Sequence, residues 1–541
     1  MNGVLERVIE NWLDKATETS FQQPFCYMLS AEGHTIIHST RHSASELGKD
    51  IITIDSDGTP CAFQLKTGNI TLKKWQNEVS RQIDSLVVGK IVHSSVETSQ
   101  HHKSYLVTNG NITEEVSFDI KGRNETWSNQ DQSYLRLRTI DRGELFEKAK
   151  KLGTKLWPSE LTDIKTLLEM FLESGKGILP KQKLASLFES TIPLKFLKNG
   201  KAPSQKRCSR SIASAGLLCA IAISSFSNQN NHVAEIEAWI MYIAYMLALA
   251  ERWHLSKNVY KSELEIATQF LYASLANLCD EIKDRTDLIE GNPLADSYVY
   301  RIRITWLLGL MSIYALWRSS KGEPKDETDD FLSEFCKEKR IQLKLWGEAA
   351  IPQILAFFWY YRKINATRKP DDFLRNLISS ICIYNGPKGG GLLAGPYYEA
   401  EDILPYIFGI NEVPLMDSFK GESYALEGLV HLYTRRNWKQ TMKGLWPGIT
   451  RLASISFKPE NFCDFYRWRN KEGTVKVVFP QHTQDWEELK ALSFESEGSC
   501  IPPTIKDDPI LVLLFLCVYP HRMNAEIIRW LDTQIKDIPR P

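Results

Sequence analysis

The hydrophobic period of this chain changes once along its length, and that change sets what it can fold into. Residues 1 to about 155 alternate between helical and strand patterns, whereas residues from about 160 onward read as long helices almost without a break. Strands mixed with helices imply a sheet with helical crossovers, and an uninterrupted helical period implies helix-on-helix packing. At 541 residues the chain is also too long for one hydrophobic core. The expected organisation is an α/β domain over 1–157 with a central mixed sheet flanked by helices, an α-helical domain over 158–400, and a mainly helical region over 401–541 whose fold the sequence does not name.

Within the first part, Val4, Leu5, Val8, Ile9 and Leu13 recur at helical spacing. Strand candidates follow at Thr35–His38, Asp50–Asp55, Pro60–Lys66, Ser104–Thr108 and Tyr134–Ile140. Asp57-Gly58 lies between the second and third of these, and Gly supplies the positive φ that a tight hairpin turn needs. Leu72, Trp75, Val79, Ile83 and Leu86 step along one helical face, and a helix from Arg142 to about Leu152 closes the unit. Eight helices are expected over 158–174, 205–227, 231–254, 258–284, 294–319, 327–345, 351–364 and 370–384, with no repeat of fixed period. A weak strand candidate stands at Thr474–Phe479.

Composition excludes several classes. Lys and Arg number 66 and so do Asp and Glu, so the chain has no global basic field and any nucleic-acid contact must come from local clusters. The ten cysteines are scattered, with no CxxC pair and no metal-ligand spacing, and are expected to be small core residues of a reduced, cytoplasmic protein. On that reading the sequons at Asn111 and Asn124 carry no meaning. The apolar runs Ala238–Ala250, Thr305–Trp317 and Pro509–Tyr519 are each shorter than the ~18 to 20 residues a bilayer crossing requires, so no membrane span is expected.

One stretch carries chemistry: GKDIITIDSDGTPCAFQLK, from Gly48 to Lys66. Residues two apart on a strand share a face, so Gln64 and Lys66 lie on one side of the sheet with Phe63 and Leu65 on the other. The hairpin folds Asp50 back beside Gln64 and Lys66 at one edge of the sheet, and Glu46 arrives from the preceding segment. A carboxylate, an amide oxygen and a lysine suit metal-assisted phosphodiester hydrolysis, because Mg²⁺ prefers hard oxygen ligands and a cation nearby stabilises the charged transition state.

These residues resemble the PD-(D/E)xK, or restriction-endonuclease-like, superfamily, and within it the Mrr-type branch, whose pattern is an acid, a strand hairpin and QxK. A helix before the pattern and a helix then a strand after it agree with that resemblance. It covers only about residues 1–155. It implies Asp50, Gln64 and Glu46 as ligands of Mg²⁺ or Mn²⁺, and Lys66 as the catalytic lysine. Gln64 departs from the acidic form of its position and leaves less negative charge for the metal.

The resemblance implies a metal-dependent endonuclease acting on nucleic acid, expected to be double-stranded DNA, as an effector of a prokaryotic antiphage or restriction system. A homo-oligomer or a complex with a separate ATPase or helicase is expected with it. The alternative is a weak or inactive nuclease fold that binds nucleic acid as a scaffold for such a partner. Other features are weaker. The basic run Lys195, Lys198, Lys201, Lys206, Arg207 and Arg210 reads either as a phosphate-touching linker or as a solvated one. The glycine-rich run Gly386–Gly391 lacks the GK[ST] ending of a P-loop and reads as a turn. His101-His102 reads as surface, and Trp239, Trp306, Trp317 and Trp359 as packing residues.

Overall fold

A computed structural model describes residues 2–39, 49–91, 96, 101–153, 161–196, 200–285, 298–337, 343–364, 370–389, 393–407, 420–470, 473–478, 485–495 and 497–537. Its contacts divide the chain into two compact units, Met1–Ser274 and Leu275–Pro541.

The first unit opens with α1 (Asn2–Lys15) and α2 (Glu18–Ala31), then β1 (Thr35–Ser39), β2 (Ile51–Ile54) and β3 (Pro60–Lys66). The Asp-Gly signal falls where expected: β2 and β3 pair antiparallel across Asp55–Thr59, and Gly58 takes φ +79°. Asp55 organises that turn by accepting from the backbone N–H groups of Asp57 and Thr59 and from Lys103 Nζ at 2.6 Å. Burial acts to raise the Asp55 pKa, but those three donors outweigh it and hold the carboxyl below its usual range.

A helical run then crosses the sheet: α3 (Leu72–Lys74), a π-helical turn at Trp75–Val79, and α4 (Ser80–Val88). It delivers β4 (Lys103–Thr108), parallel to β3, and α5 (Glu114–Asn129) delivers β5 (Leu137–Ile140), parallel to β4. The five strands lie in the order β1-β2-β3-β4-β5 as one mixed sheet. β3 is therefore its central strand. Asp50, Gln64 and Lys66 sit near the strand ends of the sheet's middle rather than on a lateral edge, because the crossover lays β4 against the free side of β3.

Trp75, Val79, Ile83 and Leu86 are buried under that crossover with Ile52, Ala62 and Leu106, as the helical spacing implies, while Leu72 stays exposed. On the other side of the sheet, Phe63 packs edge-on against Phe25 of α2 at 5.5 Å and stacks on Tyr105 at 4.7 Å. Each such side chain removed from water contributes roughly 1.5 to 3 kcal/mol.

After α6 (Arg142–Gly153) come α7 (Leu161–Phe171), α8 (Lys181–Thr191), α9 (Gln205–Ala222), α10 (Ser224–Asn228), α11 (His232–Trp253) and α12 (Lys261–Ile282), the last of which runs through the division between the units. The boundary expected at residues 157 and 158 falls inside the first unit. There α2 packs on α9 so closely that a Cβ on Gly216 would stand 2.3 Å from the Tyr27 ring. Two helices are long and apolar enough to cross a membrane, unlike the shorter runs read from the sequence: α11, with 94% of its apolar window buried inside the protein, and the helix Tyr298–Ser320, with 56% buried.

The second unit is mainly helical, with helices at Tyr298–Ser320, Ile351–Lys363, Pro370–Asn385, Leu426–Arg435 and Ala525–Asp537 among others. It also holds a three-stranded sheet in which β6 (Glu422–Ser423), β7 (Ala453–Pro459) and β8 (Gly473–Val478) lie in that order; only the last was foreseen. Gly386–Gly389 is a turn that follows a helix, not a strand. The nine cysteines whose side chains are described are free thiols, seven of them buried.

Candidate metal and catalytic site

The antiparallel register of β2 on β3 turns a spacing along the chain into a contact. Ile51 is paired with Phe63, which places Asp50 one position outside the ladder, across from Gln64. Its backbone N–H donates to Phe63 O at 2.9 Å. Its carboxylate takes over where β2 ends: Oδ2 accepts from Leu65 N at 2.6 Å and from Gln64 Nε2 at 2.8 Å. Gln22 Nε2 of α2 donates to Asp50 O at 3.2 Å. Asp50 is half-buried and held by the central strand on one side and by α2 on the other.

Gln64 is only 4% exposed, so it is not the solvated strand residue that its polarity alone would suggest. Its Oε1 is buried without a hydrogen-bond partner. An orphaned carbonyl oxygen costs about 1 to 3 kcal/mol, and a hard cation would offset that cost. Asp50 and Gln64 thus place a carboxylate beside an amide whose oxygen is unpartnered, with the amide turning its nitrogen to Asp50. Among the described residues no group of three His, Cys, Asp or Glu side chains is placed to hold one. Glu46 lies outside the described residues.

Lys66 ends β3 on the same face as Gln64, with its side chain 14% exposed. Its Nζ lies 3.5 Å from Glu18 Oε1, in the first turn of α2. Sequence reasoning missed Glu18. The capping box of Thr17 and Ser20 fixes the start of α2, so Glu18 and Gln22, one turn apart, both face the ends of β2 and β3. A Thr followed by Glu at a helix start was the available signal, but the contact spans 48 positions and is set by tertiary packing.

The loop after Lys66 is fixed as well. Lys74 Nζ donates to Thr67 O at 2.6 Å, and Gly68 N donates to the buried Asn109 Oδ1 at 2.7 Å. A Cβ on Gly110 would lie 2.2 Å from Gly68 C, so the two loops touch backbone to backbone.

Lys49, next to Asp50, is 2% exposed and points away from this group, donating to Ser85 O at 3.2 Å. Burial pulls its pKa down to about 8. His102 meets the neighbouring carbonyl, Leu86 O, at 2.8 Å, so the two side chains close the last turn of α4. The His101-His102 pair is thereby divided: His102 serves the helix end, and His101 packs on the Tyr134 ring at 3.9 Å. Trp239 and Trp359 are buried packing residues, as expected.

No family model matches this chain, and no curated protein and no solved structure matches it either.

Proposed function

We propose that the chain is a metal-dependent nuclease that hydrolyses phosphodiester bonds, with DNA as the expected substrate and prokaryotic defence against invading DNA as its role. The observation that carries this reading is the junction of Asp50, Gln64 and Lys66 at the ends of β2 and β3. An acid lies across from an amide whose carbonyl oxygen lacks a partner, and a lysine two residues further on meets a second acid. The preceding helix, the hairpin, the crossover helix and the following parallel strand come in the order that the PD-(D/E)xK resemblance requires.

In this reading Asp50 and Gln64 Oε1 hold Mg²⁺ or Mn²⁺, with Glu46 as a further ligand. When bound, the ion supplies Lewis acidity, which lowers the pKa of a coordinated water and neutralises phosphate charge. Lys66 presents an ammonium to the scissile phosphate, where it orients the attacking water and stabilises the charge that develops on the phosphoryl oxygens. Glu18 positions Lys66, and Gln22 steadies Asp50 through its carbonyl. One such site cuts one strand, so cleavage of a duplex calls for a second copy, supplied by a C2 dimer or by an assembly with a separate ATPase or helicase.

A second reading has its own observation. Gln64 is neutral, and the described residues offer Asp50 as the one carboxylate against it, which favours a nucleic-acid-binding scaffold with weak or no cleavage. Incubating purified protein with supercoiled plasmid in Mg²⁺, Mn²⁺ or chelator separates the two. Metal-dependent nicking or linearisation supports the nuclease, and binding without any cleavage in either metal supports the scaffold.

A further inference from the structure

The chain is neutral overall, yet between Glu189 and Glu235 it contains no Asp or Glu and six Lys or Arg. The fold concentrates part of that charge. Ser204 caps α9 by accepting from Arg207 N, so the helix starts with its amide groups and with Lys206, Arg207 and Arg210 at one exposed end. α9 and α11 run antiparallel, because Tyr242 OH donates to Ile212 O at 3.0 Å and Cys219 Sγ to Ala238 O at 3.8 Å. The basic start of α9 therefore lies beside the C-terminal end of α11. Trp253 there donates its indole N–H to Pro193 O at 2.7 Å and meets the Phe196 ring edge-on at 5.0 Å. Phe196 is 58% exposed, and the Arg252 guanidinium lies over both rings. Glu189, which borders the patch, is engaged by Tyr245 OH.

We propose that the start of α9 and the Phe196–Trp253–Arg252 group form a nucleic-acid contact surface separate from the Asp50–Lys66 site. Exposed cations beside an exposed ring are what a phosphate backbone with stackable bases requires, even with Glu189 and Glu251 at the border. An anionic polymer without bases, such as polyphosphate, would use the cations and leave Phe196 idle. The position is also distinct. α2 runs antiparallel to α9 and α10, with Tyr27 at Gly216 of α9 and Thr17 at Asn228 of α10, so the patch lies roughly 30 Å from Glu18 when measured along the helices at ~1.5 Å per residue. The choice of nucleic acid as ligand rests on the nuclease reading, but the surface requires no cleavage.

Binding of labelled duplex and single-stranded oligonucleotides to the full chain, measured in chelator across a salt series, tests this. Replacing three phosphate contacts with Lys206→Gln, Arg207→Gln and Arg210→Gln should flatten the slope of log affinity against log salt for duplex by roughly 2 to 3, at about 0.9 per contact. Phe196→Ala should weaken single-strand binding about tenfold and leave binding of inorganic polyphosphate unchanged. Lys206→Gln alone should remove about one third of the slope change, which guards against a folding defect in the triple variant. A triple variant with the wild-type slope, or a Phe196→Ala protein that binds single strands normally, would overturn the proposal. So would binding to vesicles of anionic lipid without binding to either oligonucleotide. Because no metal is present, these outcomes are independent of whether the Lys66 site cuts.

Discussion

Gln64 Nε2 donates to Asp50 Oδ2 at 2.8 Å, so the amide at the second proposed metal-ligand position already serves as the partner of the first. Replacing it by a carboxylate sets two like charges at that distance. Without metal, Gln64→Glu should therefore raise one of the two carboxyl pKa values and lower stability near neutral pH by about 1 to 3 kcal/mol. Mg²⁺ should restore the loss. Thermal melts with and without Mg²⁺ check this: a variant whose melting temperature ignores the metal would show that Gln64 is a strand residue only.

The contact of Lys66 with Glu18 is long at 3.5 Å and partly exposed, which gives a different expectation. Glu18→Gln should change stability by less than about 1 kcal/mol, because such pairs contribute little. Its effect should appear in turnover, through a lysine that is no longer held at the end of β3. Equal kcat for wild type and Glu18→Gln, measured over a substrate series, would remove Glu18 from the account.

How much of this could be read from the sequence differs between hairpin and helix. The Asp50-to-Gln64 relationship was legible because an Asp-Gly turn and period-two strands fix the register locally. α2 was not legible: every residue from Phe21 to Leu29 is buried, so there is no polar face to give a helical period, and Pro24 lies inside the helix. The partner of Lys66 was hidden with it. α5 was missed for the opposite reason, since only Val116 and Ile120 of its sixteen residues are buried. The long helices from Leu161 to Asn385 were recognised because each is a long run, either amphipathic or, like α9 and α11, apolar over more residues than a strand holds, although Lys181–Thr191 escaped.

The packing of α2 on α9 predicts that the sheet depends on the helices that follow it. Gly216→Ala, which drives a methyl into the Tyr27 ring, should destabilise the first unit by about 1 to 3 kcal/mol or more. A fragment ending near residue 157 would expose Tyr27 and its neighbours, and should melt less cooperatively than residues 1–274. Identical melting of the two fragments would show that the sheet needs no support from α9.

In the second unit, Glu348 is 1% exposed, accepting from Ser423 Oγ and from Tyr424 N at 2.7 Å. Burial, partly offset by these hydrogen bonds, raises its pKa to about 7. A carboxyl with a raised folded pKa holds its proton longer folded than unfolded. Its contribution is therefore fully present below the unfolded value of about 4.3 and is lost as pH rises toward 7. Glu348→Gln should flatten that part of the stability profile, which denaturant melts between pH 4.5 and 7.5 would measure. An unchanged profile would mean that Glu348 is not the group that titrates.

The proposed role of Lys66, acting on a phosphodiester bound at Asp50 and Gln64, is tested most directly by plasmid cleavage with wild-type and Lys66→Ala protein side by side in Mg²⁺. Metal-dependent cleavage is expected of the wild type, and a loss of at least about a hundredfold of Lys66→Ala, with melting temperature and DNA binding in chelator retained. Cleavage by purified Lys66→Ala at the wild-type rate would contradict that role.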